Sequence, residues 1–214
     1  MKQATLAISL ALLLPGVARA ASPSTAPPAR DWSFALYLDG YMQPRVQSYL
    51  APTVFADRGP LHLEARYNYE DRYTGSVFAG WSFAFGDEEA TFLKLTPMLG
   101  GVFGRTGGIA PGLEVEARWW RLGFWLEGEY LFDLRDSSGS FLYSWSELDF
   151  YAVPWLWFGV SVQRQRFIET ETEVDVGPAI GFGKPGSPGW TVSLYAYGVA
   201  RSSTWYLATV AIQF

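Results

Sequence analysis

The side chains able to do chemistry in this 214-residue sequence are few in kind. There is one histidine, His62, and no cysteine. Carboxylates instead recur at every second position: Glu64 beside Arg66, Glu114 and Glu116 beside Arg118, Glu127 with Glu129, Glu147 with Asp149. A single histidine excludes a multi-histidine metal centre within one chain. The lack of cysteine excludes a disulfide framework, a thiolate metal site, a thiol nucleophile and a lipid-modified N-terminal cysteine. His62 is the only candidate general base for acyl transfer, a chemistry that pairs His with a Ser or Asp. No serine lies beside it in sequence, and no G-x-S-x-G elbow occurs. Paired carboxylates could act as acid and base on a sugar. Glu127, Glu129, Glu147 and Asp149 also offer the oxygen ligands that suit Ca²⁺. A polar wall of any kind yields the same pairs, so the informative feature is the spacing of two.

That spacing belongs to a β-strand, where residues i and i+2 share a face. Leu61, Leu63, Ala65, Tyr67 and Tyr69 fall opposite His62, Glu64, Arg66, Asn68 and Glu70. Leu113, Val115, Ala117 and Trp119 oppose Gly112, Glu114, Glu116 and Arg118. Val174, Val176, Pro178, Ile180 and Phe182 oppose Asp175, Gly177, Ala179 and Gly181, and Trp190, Val192, Leu194 and Ala196 oppose Thr191, Ser193, Tyr195 and Tyr197. About twelve such segments are predicted, near 32–41, 48–57, 60–70, 74–85, 90–103, 108–119, 122–132, 140–152, 155–166, 173–183, 189–198 and 203–214. Turn-rich pieces such as Asp57-Arg58-Gly59-Pro60 and Gly183-Lys184-Pro185-Gly186 connect them. Segments of roughly ten residues match a tilted strand crossing a bilayer, about 9–11 residues, better than the five or six usual in soluble sheets.

Composition agrees with an unusual solvent. Charged residues are only 17% and aromatic residues also 17%, with 49% hydrophobic overall; soluble domains carry about a quarter charged residues. The hydrophobic content excludes a disordered chain. A net charge of −5 argues against nucleic acid as a partner. The start reads as an export signal: Lys2, an apolar run from Leu6 to Leu14, then Ala18-Arg19-Ala20 before the expected cleavage. The run is too short to span a membrane as a helix. Residues 1–20 are therefore expected to be removed, 21–31 to form a flexible periplasmic arm rich in proline, and 32–214 to form one domain.

Alternation alone fits a soluble sandwich or a membrane barrel, which differ in which face meets solvent. Tryptophans at segment ends (Trp32, Trp81, Trp119, Trp120, Trp155, Trp157, Trp190 and Trp205) favour an interfacial aromatic girdle and hence the barrel. The last ten residues end with Tyr206, Ala208, Val210, Ile212 and Phe214 alternating on one face. This resembles the C-terminal assembly signal of bacterial outer-membrane β-barrel proteins. The resemblance implies an all-β transmembrane antiparallel up-and-down barrel in the outer membrane, partnered by its lipid and by the barrel-assembly machinery that reads the last strand. Pro52, Pro97, Pro111 and Pro178 fall inside strand segments although proline lacks the N–H that a paired strand needs. Bulges or rim positions are expected there, and ten strands rather than twelve is the alternative.

With apolar residues facing lipid, parity sends the chemistry-bearing side chains into the lumen. The expected acidic wall is Glu64, Glu114, Glu116, Glu127, Glu129, Glu147, Asp149 and Asp175, with Asp39, against the basic Arg66, Lys94 and Arg118, plus His62. Tyr37, Trp125, Tyr143, Trp145, Tyr195 and Tyr197 accompany them, and Gly80, Gly100, Gly177 and Gly181 leave space. One reading pairs Glu64, Arg66, Lys94, Glu114, Glu116 and Arg118 as a structural ladder inside a filled barrel. The other takes the acid excess, concentrated on Glu127, Glu129, Glu147 and Asp149, as the wall of a narrow, cation-preferring passive channel. No cofactor is expected. A lipid-modifying enzyme built on His62 is the third possibility. The outer connections are short, so any constriction must come from the wall.

Overall fold

The computed structural model describes residues 31–214 apart from Arg45 and residues 88–90, 169–170 and 200–203. The expected export signal, and the arm up to Arg30, lie outside the described residues. The strands in chain order are β1 Ser33–Met42, β2 Tyr49–Arg58, β3 Leu61–Tyr67, β4 Thr74–Trp81, β5 Phe83–Asp87, β6 Thr91–Gly104 and β7 Gly108–Trp119. They continue as β8 Leu122–Asp133, β9 Phe141–Val153, β10 Leu156–Phe167, β11 Glu173–Lys184, β12 Gly189–Tyr197 and β13 Trp205–Gln213. Each pairs antiparallel with its neighbour in sequence, save β4 with β5, and β1 pairs with β13 to close the sheet. β4 and β5 both pair with β6 on one register, Gly80 opposite Met98 and Phe83 opposite Leu95. They are two halves of one stave broken at Ser82. The fold is a closed antiparallel up-and-down barrel of twelve staves. Phe34 and Phe214 exchange backbone hydrogen bonds of 2.8 and 2.9 Å at the seam, so the last residue helps to lock it.

The burial pattern inverts that of a soluble sheet. Leu36 and Leu38 are 38% and 37% exposed, whereas the neighbouring Asp39 is 4% exposed. The same alternation runs round the whole wall: apolar side chains cover the outside, and carboxylates, hydroxyls and aromatic rings fill the inside. An apolar exterior of this extent needs hydrocarbon around it rather than water. Tyr206, Val210, Ile212 and Phe214 of the last strand point outward as the sequence pattern predicts.

The four prolines sit where one ladder is missing. Pro52 lies one residue beyond the Thr53–Arg66 pair that ends the β2–β3 ladder. Pro97 falls opposite the break between β4 and β5. Pro111 falls in the gap that the β7–β8 ladder leaves between Ile109 and Gly112. Pro178 precedes Ala179, where the β11–β12 ladder begins. Each proline keeps pairs on one side only, which resolves the conflict with its missing N–H and leaves the count at twelve.

The start of β1 and the end of β13 lie at one rim, called here the terminal end. Its connections are tight hairpins among the described residues. The connections at the distal end are also short, from Arg105–Gly107 up to Leu134–Ser140. Six tryptophans are exposed on the outside (Trp32, Trp81, Trp119, Trp120, Trp155 and Trp190), and all six stand at the terminal end. The other two expected girdle residues point inward. Trp157 and Trp205 are each 8% exposed, because their strand parity, not their residue type, decides their side. Tyr69 also departs from expectation. β3 ends at Tyr67, and Asn68 adopts φ +59°, a left-handed conformation that asparagine tolerates. The alternation is lost there, so Tyr69 and Glu70 both turn into the lumen.

Candidate functional site: the lumen

One wall of the lumen is ionic and is organised by a single cation. Arg66 projects inward from β3, fully buried. Its guanidinium pairs with Glu64 two residues earlier on the same strand, with Nε donating to Glu64 Oε2 at 2.6 Å. It also crosses the lumen to β8, four staves round the barrel. There Nη1 lies 2.6 Å from Glu127 and 3.2 Å from Glu129, with Glu70 at 3.9 Å. The guanidinium plane is covered by Phe78 at 4.3 Å and Tyr69 at 4.7 Å, a pair of cation–π contacts. Tyr69 donates its hydroxyl to Glu127 at 3.0 Å, and Ser76 donates to Glu70 at 2.5 Å. Burial of four carboxylates about one arginine is tolerable only because these hydrogen bonds and the shared cation offset their desolvation.

The neighbouring ionic groups are arranged less tightly. His62 Nδ1 is 2.6 Å from Asp57, and Nε2 is 2.7 Å from Glu64 and 3.6 Å from Glu114. Lys94 meets Glu116 at 2.9 Å, with both side chains well exposed to the lumen. Arg118 does not join this ladder; it stacks on Tyr151 at 5.1 Å. The proposed ladder is therefore formed in two pieces rather than one. Glu127 and Glu129 are not the unscreened pair that their own strand and its neighbour suggest, since Arg66 reaches them from across the barrel. The four-carboxylate calcium arrangement is not formed, because Arg66 occupies Glu127 and Glu129. Among the described residues the group whose donor atoms converge within 4.8 Å is His62, Glu64 and Glu114.

The opposite wall is aromatic. Tyr41 stacks on Tyr49 with centroids 4.8 Å apart, and Tyr197 stacks on Trp205 at 4.2 Å. Trp145 meets Tyr195 and Trp125 edge-on at 5.6 and 5.5 Å. Trp145 Nε1 donates to Ser161 at 2.8 Å, and Ser161 is 2.7 Å from the Tyr197 hydroxyl. Trp205 Nε1 donates to Asp175 at 3.3 Å, and Thr209 donates to Asp39 at 2.5 Å. Glycines make room for this filling: the Trp157 indole lies where a Cβ at Gly181 would stand.

These two walls leave two cavities on the axis. The larger, about 370 Å³, opens toward the terminal end and is bordered by His62, Lys94, Glu114, Glu116, Glu147 and Asp149, with Tyr37 and Trp125. The smaller, about 130 Å³, lies distally between Tyr41, Tyr49, Glu70, Tyr143, Gln163 and Trp205. Tyr69 borders both. Between them the lumen is packed with side chains: Glu129, bonded to Arg66, and Tyr197, bonded to Ser161 and Gln163, are at most 2% exposed. Seven carboxyl groups line the larger cavity, against Arg66, Lys94, Arg118 and His62. Glu147 and Asp149 have no cation within ion-pair distance among the described residues.

Sequence reasoning placed the inward wall by parity, with Glu70 on that face though not counted in the acidic wall, but missed Asp57, Tyr69 and Phe78. Asp57 was readable: Thr53, Phe55 and Asp57 share one strand face, but its place in a turn motif hid it.

No protein-family model matches the chain, and no curated protein sequence does. Solved structures do. The KdgM porin superposes with a TM-score of 0.53 at 12% identity, covering 84% of this chain and 99% of that one. A KdgM porin in complex with disordered oligogalacturonate gives 0.52 at the same identity and coverage. Pseudomonas aeruginosa OpdQ gives 0.44 at 9% identity, over 89% of this chain and 59% of that one. At these identities the likeness to KdgM is one of fold. This chain has the fold of a bacterial outer-membrane β-barrel porin.

Proposed function

We propose that the protein is a passive outer-membrane channel for small solutes, and that its acidic lumen prefers cations over anions. The observation that carries this reading is the charge of the larger cavity, with Glu147 and Asp149 uncompensated on its wall. Water and mobile cations stabilise such carboxylates; an anion entering the same space is repelled. One KdgM structure holds oligogalacturonate, a chain of anionic sugars. The sign of the wall here speaks against a polyanion of that kind and favours neutral or positively charged solutes. The distal cavity and the packed waist favour small ones. Export through residues 1–20, outer-membrane lipid around the apolar face and assembly through the C-terminal strand complete this reading.

The surroundings of His62 favour non-enzymatic work. Both ring nitrogens of His62 face carboxylates, so neither faces a serine or threonine hydroxyl. Among the described residues no hydrogen-bonded nucleophile–base pair of the acyl-transfer type involves it.

The packed waist supports a second reading, a barrel whose filled lumen conducts nothing. Planar-bilayer conductance of the refolded chain under a salt gradient separates the two. Discrete steps with a reversal potential toward the cation Nernst value are expected. In the Glu147→Gln, Asp149→Asn double variant that potential should move toward zero. Silence from protein whose heat-modifiable gel mobility shows it folded would replace the channel with the filled barrel.

A further inference from the structure

We propose that His62 Nε2, Glu64 and Glu114 bind one divalent transition-metal ion, with Zn²⁺ as the reference case, at the edge of the larger cavity. The inference is independent of conduction. Three carboxylates surround one imidazole: Asp57 at Nδ1, and Glu64 with Glu114 at Nε2. When Nδ1–H is given to Asp57, the Nε2 lone pair points at two carboxylates. That arrangement needs a cation between them, and the choice is a proton or a metal. The carboxylate–histidine–metal order is the arrangement by which metal-binding imidazoles are oriented.

The distances suit the larger cation. A tetrahedral centre with bonds of about 2.0–2.1 Å holds its ligand atoms about 3.3 Å apart. The Nε2 separations of 2.7 Å from Glu64 and 3.6 Å from Glu114 straddle that value, and the three donor atoms lie within 4.8 Å of one another, so side-chain adjustment rather than backbone movement would accommodate the ion. The proton alone uses the first contact and leaves the second idle. Glu114 is 8% exposed, its carboxylate lies beyond hydrogen-bond reach of His62, and it makes no other ion pair among the described residues. It is a buried anion aimed at this point without a proton donor. Glu64 is suited to serve two cations, since Oε2 is held by Arg66 while Oε1 faces His62.

The fold explains how β3 reaches β7, three staves away. Gly80 stands opposite His62 on the intervening β4 and adds no side chain to the gap, and on β6 the residue paired with Glu114 is the small Thr96. His62 and Glu114 both border the cavity, which gives the ion an entry path and room for a water as fourth ligand.

The test uses the full barrel refolded in detergent and dialysed against Zn²⁺ alone, with Co²⁺ as the optical probe. One ion per chain is expected, with Co²⁺ bands of a four-coordinate site that includes imidazole. Glu114→Gln should weaken binding at least tenfold, and Asp57→Asn, which disturbs only the orientation of the ring, about 10–100-fold. Glu116→Gln, whose partner is Lys94, should leave it unchanged. Failure to bind near one equivalent overturns the proposal in favour of a proton-bridged cluster, as does binding that Glu114→Gln and Asp57→Asn leave intact. If Glu114→Gln does not refold, the wild-type Co²⁺ spectrum decides, since absence of imidazole-ligated bands excludes the site.

Discussion

The ionic wall carried by β3, β7 and β8 and the aromatic wall carried by β1, β9, β12 and β13 fill the same lumen by different means. On the ionic side one arginine is shared by four carboxylates, so the arrangement depends on a single side chain. On the aromatic side the load is spread over a chain of ring contacts, each ring touching one or two others. Concentration of charge gives strong coupling and a sharp failure point. Ring stacking gives graded losses and controls the width of the passage.

The largest effect is expected at the centre of the ionic wall. Arg66→Met leaves Glu64, Glu127 and Glu129 buried without their cation, a loss of about 3–5 kcal/mol by analogy with other broken buried pairs. Urea unfolding of the refolded barrel would measure it. Adding Glu127→Gln and Glu129→Gln should recover much of the loss; a triple variant as weak as the single one would contradict the shared-cation account. Next comes Trp205→Ala, which removes a ring stacked on Tyr197 and opens the distal cavity. About 3 kcal/mol is expected from large-to-small substitution, together with larger single-channel conductance. Gly181→Val should cost about 1–3 kcal/mol by forcing the Trp157 indole aside, read by the same unfolding curve. The smallest effect belongs to Lys94→Gln. Its pair with Glu116 is well exposed to the lumen, so less than about 1 kcal/mol is at stake. Selectivity is the sharper readout there, because removing the cation should strengthen cation preference.

The fold was legible because a barrel needs one simple rule repeated twelve times. Strand parity placed Glu64, Arg66, Glu114, Glu127, Glu129, Glu147 and Asp149 inward without reference to their partners. The rule failed where the chain leaves its period: Asn68 breaks it, and Tyr69 goes in. It also failed where residue type was allowed to outvote parity, as at Trp157 and Trp205. The pairings were less legible than the positions. Arg66 and Glu129 stand 63 residues apart on strands that are not neighbours. Their contact depends on the width of the barrel and on which side chains are long enough to cross it. Alternation records which face a residue takes and says nothing about the chord it spans.

The one-sided belt of tryptophans has a mechanical corollary. Indoles prefer the headgroup level, and six of them at the terminal rim hold that rim at a fixed depth. The distal rim has no such row of indoles to pin it. A change in bilayer thickness is then absorbed by the distal rim, through local deformation of the leaflet around it or tilt about the anchored rim. The distal cavity, bounded by Tyr41, Tyr49 and Trp205, would feel that strain, while the metal-sized cleft at His62 rides with the anchored end.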